Sequence, residues 1–278
     1  MNGTLTTKAT SGQYKKYEYR YGTEQVTGIH VFTTKSGQSI APAIYTKRTP
    51  LSQMNPTRPE AQDVIAKTNG CMFVRDDTRF LGFFYQGPNK PMYINGVAFT
   101  TAPNSSNMYS DVKFWPSFCI KKDGSATIRW FSSKDDLNMA LPYCDYVIGA
   151  CHPLVYDSKC VFNEYVREPD ALGGRMLYDI ANPNSLGSRF NTEIDMSTSQ
   201  RTLLGHKSNG TFVMVATDNK MSVETAANMM QDLGCDFAVN MDGGSCSEMR
   251  IASGYGPAGR VTIQGGTLLN TAVCAYVK

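Results

Sequence analysis

The last third of the chain places an apolar run, a helical stretch and a second apolar run in close succession. That order limits the possible folds more than any other feature. Thr211 to Thr217 (TFVMVAT) is nearly unbroken apolar sequence, the pattern of a strand buried on both faces. Asp218-Asn219-Lys220 then turns the chain. Ser222 is placed to cap a helix, and Glu224 sits in its first turn, where the helix dipole favours an acid. Val223, Ala226, Ala227, Met230 and Leu233 keep helical spacing, so one face packs down. Gly234 is suited to end the helix. Phe237 to Met241 forms a second buried strand that runs into Asp242-Gly243-Gly244-Ser245. If the two strands share a sheet, they are parallel and the crossover is right-handed. Asp218 and Asp242 then leave the same sheet edge, where α/β proteins bind ligands.

The preceding sequence is rich in β signals. Residues 1–25 are polar and suit an edge strand or a frayed start, and alternation from Val26 to Tyr45 suits strands. Pro50, Pro56 and Pro59 exclude regular structure around them. Lys122-Asp123-Gly124-Ser125 suits a hairpin turn, because glycine accepts positive φ. From 156 to 200 periodicity disappears, the pattern of an irregular lid. The expected architecture is a single α/β (mixed α+β) domain over 1–278. It combines a β-rich N-terminal extension over 1–59 with a C-terminal β-α-β unit, in a central mixed sheet flanked by helices.

Composition narrows the function. The 27 Lys+Arg and 24 Asp+Glu leave a net charge of +3 over 278 residues, and the basic residues are scattered. A nucleic-acid polymer needs a concentrated basic face, so none is expected as partner. No apolar run reaches the roughly 18 residues of a membrane span, so no membrane partner is expected. The first residues lack the apolar core of a secretory signal, which points to the cytoplasm. The eight Cys form no C-x-x-C pair, and His30, His152 and His206 are the only histidines. Neither a metal site nor a cofactor is indicated.

Asn240-Met241-Asp242-Gly243-Gly244-Ser245-Cys246-Ser247 is the strongest chemical signal. A polar pair at a strand end followed by two glycines exposes successive N–H groups, which form an anion-binding nest. The bland alternative is a tight turn capped by Asp242. Two other motifs fail. Gly243 to Ser247 is one residue short of a nucleophile elbow, and every His precedes Ser245, whereas that fold places the His after the Ser. Gly254-Tyr255-Gly256-Pro257-Ala258-Gly259 carries a proline where a dinucleotide-binding helix would open.

With that strand end in view, the chain resembles the phosphodiester glycosidase family. The family's Asn-Leu-Asp-Gly-Gly-Gly-Ser strand end falls on Asn240 to Cys246. Thr68 to Phe73 resembles its Asn-Gly-Gly-Phe-Phe loop. Gly149 to Val155 with Asp157 resembles Gly-x-x-Leu-Val-x-Asp-Gly. Arg201 to Gly205 resembles Arg-Thr-Ala-Ile-Gly. Asp218-Asn219-Lys220 falls on Asp-Gly-Arg, and Leu269 to Val273 resembles the terminal Asn-Ala strand. The departures are Ser245 for the third glycine, Cys246 for the serine, Glu248 at a usual Ser/Thr position and Cys71 for a glycine.

The resemblance implies hydrolysis of a glycosyl or ribosyl 1-phosphodiester at the anomeric carbon, through an oxocarbenium-like state. Asp242 is then the principal carboxylate, with Asp218 supporting it. Arg201 and the Gly243 and Gly244 amides would hold the phosphate. Asn69 and Asn240 would bind sugar hydroxyls or orient water, and Gly70, Thr202, Ser245 and Asn270 would complete the substrate site. Glu248 would add an acid among the catalytic residues and weaken phosphate binding unless a cation or Arg201 offsets it. Cys246, in a nest of amides, is a conceivable nucleophile. The substrate would be a sugar-modified or signalling nucleotide, or a cell-wall phosphodiester. The alternatives are a non-catalytic module for a phosphorylated sugar or nucleotide, and a sugar-binding domain of a phage particle, placed in the virion or host cell.

Overall fold

The computed structural model describes residues 3–71, 82–105, 115–161 and 198–278. An eight-stranded sheet forms its centre. Its strands lie side by side in the order β1 (Thr4–Ser11), β2 (Tyr14–Tyr21), β3 (Glu24–Thr33), β15 (Phe212–Thr217), β14 (Thr202–His206), β16 (Phe237–Asn240), β12 (His152–Tyr156) and β13 (Lys159–Cys160). Facing it is a five-stranded sheet, β18 (Gly259–Arg260), β17 (Met249–Ile251), β5 (Val64–Asn69), β19 (Leu268–Val277) and β4 (Gln38–Pro50). Two smaller sheets complete it: β10 (Ala126–Arg129), β9 (Ser117–Lys121), β11 (Cys144–Gly149), and β6 (Phe83–Phe84), β7 (Met92–Ile94), β8 (Val97–Phe99).

The apolar run of β15 is explained by its two neighbours. Phe212, Met214 and Ala216 pack into the core shared with the five-stranded sheet. Val213 and Val215 pack on the opposite face with Val223, Ala226, Ala227 and Met230, all carried by the helix α2 (Val223–Asp232). The Ser222 hydroxyl accepts from the Thr225 N–H at 3.1 Å and caps that helix. Glu24 of β3 adds its carboxylate, which accepts the Ser222 N–H at 2.9 Å and the Ser222 hydroxyl at 2.6 Å. Gly234, at φ +82°, ends the helix, a conformation in which a side chain is strained.

The expectation of a mixed α/β sheet flanked by helices is overturned. The chain is β-rich, and its sheets are built from antiparallel pairs. Only α1 (Lys134–Ala140) and α2 are α-helices among the described residues. The physical reason lies in β14. It inserts between β15 and β16 and pairs antiparallel with both. The two strands joined by α2 therefore run in the same direction without touching, and each finds its hydrogen bonds in a neighbour of opposite direction. The N-terminal strands are not peripheral to this frame: β1 to β3 extend the eight-stranded sheet and β4 closes the five-stranded one. The expected lid over 156–200 falls mostly on 162–197, outside the described residues.

Candidate active site

The ends of β5, β14 and β16 meet, and Asn69 ties them together. Its side chain is fully buried. The Nδ2 group donates to the Asp242 carbonyl at 2.7 Å. Its Oδ1 accepts the Thr202 hydroxyl at 2.6 Å and the Glu248 N–H at 3.2 Å. Thr202 also reaches Ser247 Oγ at 3.3 Å. Gly70 continues the junction: its carbonyl accepts the Asp242 N–H at 3.1 Å, and its N–H donates to the Thr271 carbonyl at 2.9 Å. A Cβ at Gly70 would fall 2.4 Å from Thr271 Oγ1 and 2.8 Å from the Thr271 carbonyl carbon, so the backbones can approach only with glycine here.

The loop over 242–247 folds on itself. The Gly243 N–H donates to Asp242 Oδ1 at 2.9 Å, and the Gly244 N–H donates to the Gln200 carbonyl at 2.9 Å. The two amides expected to face an anion thus meet protein acceptors. Ser245 is exposed, and its carbonyl accepts the Thr267 hydroxyl at 3.0 Å.

Burial pushes the Asp242 carboxyl up to about 6, against hydrogen bonds from Cys246 and the Gly243 amide that pull it down. The Cys246 thiol is itself pushed up, by burial first and then by the Asp242 charge. At neutral pH it is a protonated donor to Asp242. The thiolate that a nucleophile requires is disfavoured, because both causes oppose a second negative charge.

The other acids are already engaged. Asp218 follows β15 and is nearly buried. Its Oδ2 lies 2.7 Å from His30 Nε2, and its Oδ1 accepts the Ile263 N–H at 2.6 Å. Since β15 and β16 are two strand spacings apart, their ends stand about 10 Å from each other. Glu248 is buried, and its carboxylate accepts Arg250 Nη1 at 3.0 Å and the Gly266 N–H at 2.7 Å. Arg201 is also buried. Its N–H donates to Thr217 Oγ1 at 2.8 Å, and its Nε donates to the Met221 carbonyl at 2.9 Å, just before the α2 cap. Its charge helps hold the Glu24 carboxyl low, with the Ser222 and Thr225 hydrogen bonds, against the effect of burial.

Asn240 and Asn270 are buried, and their Oδ1 atoms have no hydrogen-bond partner among the described residues. The Asn270 Nδ2 donates to the Tyr45 carbonyl at 3.1 Å. Among the described residues no three His, Cys, Asp or Glu side chains gather as a metal cluster, and no helix is long and apolar enough to cross a membrane. The structure thus brings Asn69, Gly70, Thr202, Asp242 and the Glu248 backbone to one junction. Asp218 stands at the same edge, bonded away from it, and the Arg201 side chain is packed beside the start of α2. Two groups carried no local signal in the sequence: His30, which comes from β3, and the 261–267 loop, which links Asp218, Glu248 and Ser245.

These features define a multi-sheet, antiparallel β protein with a half-buried, loop-borne carboxyl at a sheet edge. The phosphodiester glycosidase family profile matches residues 62–272, and the chain belongs to that family. No curated protein matches the sequence. Among solved structures, the fold is similar to the zebrafish N-acetylglucosamine-1-phosphodiester alpha-N-acetylglucosaminidase catalytic domain auto-inhibited by its pro-peptide. That likeness has a TM-score of 0.62 at 15% identity and covers 100% of this chain and 83% of the other. A hypothetical protein from Synechocystis is similar at a TM-score of 0.55 and 14% identity, over 99% of this chain and 64% of the other.

Proposed function

We propose that this chain hydrolyses a glycosyl 1-phosphodiester at the anomeric carbon, with Asp242 as the carboxylate that acts on the reacting centre. The observation that carries the reading is the state of Asp242. Its carboxyl is pushed up to about 6 by burial, and its loop is locked from behind by Asn69 and Gly70. A carboxyl with that value is largely ionised at neutral pH yet far more basic than an ordinary aspartate, which suits a general base.

In the reaction Asp242 takes a proton from water while the water oxygen bonds to C1. The C1–O bond to phosphorus breaks, and the bond electrons leave with the phosphate monoester. The leaving group is already a stable anion, so a strong general acid on the far side is not required. The positive charge that develops on the sugar is stabilised by the Asp242 carboxylate, and by Asp218 only at longer range, since both its oxygens are held by His30 and the Ile263 N–H. Arg201 acts as a positioning residue, since its side chain fixes the entry to β14 against the start of α2. The substrate is a small-molecule or glycan phosphodiester, with sugar nucleotides and cell-wall phosphodiesters as the classes to test.

Incubation with a panel of sugar 1-phosphodiesters, read by mass spectrometry, tests this. The wild type releases free sugar and a phosphate monoester. Asp242→Asn lowers that rate by about 100- to 1000-fold, the usual cost of removing such a group. A phosphodiester bound and recovered intact, with no product, or an Asn variant as fast as wild type, would overturn the assignment.

A further inference from the structure

His30 is buried in the middle of β3. It lies before residue 62, outside the segment matched by the family profile. Its two ring nitrogens are both engaged: Nδ1 lies 2.8 Å from the Tyr14 hydroxyl and Nε2 lies 2.7 Å from Asp218 Oδ2. A carboxylate only accepts, so Nε2 must carry a proton. With a neutral ring, Nδ1 is then an acceptor and Tyr14 donates to it. Burial favours the neutral ring and pulls His30 below its ordinary value, although the Asp218 carboxylate opposes this.

Asp218 passes this constraint on. Its second oxygen accepts the Ile263 N–H at 2.6 Å. Three residues on, the Gly266 N–H donates to Glu248 Oε2 at 2.7 Å, and Thr267 donates to the Ser245 carbonyl at 3.0 Å. A Cβ at Gly265 would lie 2.6 Å from Glu248 Oε2, so the loop backbone passes close against that carboxylate.

We propose that His30 is a positioning residue for the candidate active site, holding the Asp218 carboxylate and, through it, the 261–267 loop against Glu248 and Ser245. The physical cause is the cost of an under-satisfied buried carboxylate. Asp218 borders a cleft of about 410 Å³ that is also lined by Thr27, Gly28, Asn219 and Ile263. Without the imidazole donor, the carboxylate regains its lost hydrogen bond by turning toward water in that cleft, which releases the Ile263 amide. The link from this network to catalysis rests on the hydrolase reading given above; the network itself does not.

Amide hydrogen exchange on the full chain tests it. His30→Leu raises exchange in the peptide over 261–267 by at least about tenfold, the loss expected for a hydrogen bond to a charged group, while peptides from β19 and β4 are unchanged. His30→Gln, whose amide can donate to Asp218 from the Nε2 position, restores most of the protection. A purely packing role would not distinguish Leu from Gln in this way. In the wild type, ring 15N shifts at pH 7.5 report the Nε2–H tautomer, a measurement that stands even where the Leu variant does not fold. Unchanged loop exchange in a folded His30→Leu, no recovery in the Gln variant, or an Nδ1–H ring would overturn the proposal. If the protein has no phosphodiesterase activity and these results are still obtained, the hydrolase reading fails and the inference about His30 stands. On a cleaved substrate, His30→Leu lowers kcat more than it raises KM, and the Gln variant recovers it.

Discussion

Replacing Asn69 by Ala tests the junction at its centre. The substitution removes four hydrogen bonds from a fully buried position, the weakest of them from the Thr68 hydroxyl at 3.4 Å, which also reaches the Glu248 carbonyl at 2.8 Å. Their consequences are unequal. The Thr202 hydroxyl has a second acceptor within reach in Ser247 Oγ at 3.3 Å, so its loss is largely recovered. The Asp242 carbonyl and the Glu248 N–H lose their Asn69 partner outright. A buried main-chain group left unpaired costs about 1–3 kcal/mol, so the two together cost about 2–6 kcal/mol. That is a large share of the roughly 5–15 kcal/mol by which a domain is stable. Urea unfolding followed by tryptophan fluorescence would show the midpoint fall with an unchanged slope. Asn69→Asp sharpens the result: at neutral pH it sets a buried carboxylate oxygen against the Asp242 carbonyl and is at least as destabilising as Ala, and it regains stability at low pH, where the protonated carboxyl can donate to that carbonyl. An Ala variant within about 0.5 kcal/mol of wild type, the range of a neutral surface change, would refute the argument.

Three further outcomes follow from the same geometry. Because the folded Asp242 carboxyl lies near 6, above its unfolded value, its contribution to stability is present at low pH and lost as pH rises through about 6; the difference, on the order of 3 kcal/mol between pH 3 and 8, should be absent from the pH–stability curve of Asp242→Asn. Cys246→Ala removes a donor that lowers the Asp242 carboxyl, so the acid limb of activity moves to higher pH; Cys246→Ser keeps a donor and most of the activity, and iodoacetamide leaves Cys246 unmodified in the folded chain at pH 8. Glu24→Gln weakens the anchor at the start of α2: the carboxylate there is held low by Ser222, Thr225 and Arg201, so the wild type's advantage is full above the ordinary glutamate range and disappears as pH falls below it, measured as the gap between the two denaturation midpoints.

The sequence was most legible where structure is decided locally. The strands over 212–217 and 237–240, the Ser222 cap and the Gly234 stop follow from neighbours a few residues apart. The turn at Gly124 is equally local, with its φ of +85° and the Ser125 amide on Asp123. The sheet was not legible in this way. Which strand fills the space between β15 and β16 is settled by Leu203 and Leu204 packing on opposite faces, a long-range choice that periodicity does not encode. The same limit applies at the site. Asp242 and its glycines stand out by composition, and the Asp242 carboxyl that caps the Gly243 amide is a sequence neighbour, the tight turn the residues allowed; the Gln200 carbonyl that takes the Gly244 amide is fixed by a tertiary contact. Arg201 sits in a recognisable motif, yet the Met221 carbonyl that receives its side chain is supplied by the approach to α2. Cys246 as a donor to Asp242 follows from the turn over 244–246, which no residue type announces.

The pH dependence of kcat/KM for a cleaved sugar 1-phosphodiester tests the central claim most directly. With Asp242 acting as the base, the wild-type rate rises through a single ionisation near 6 and then levels off, and the Asn variant retains only a small rate without that step. A wild-type profile flat between pH 5 and 7, or a step near 6 that survives in Asp242→Asn, would contradict the account.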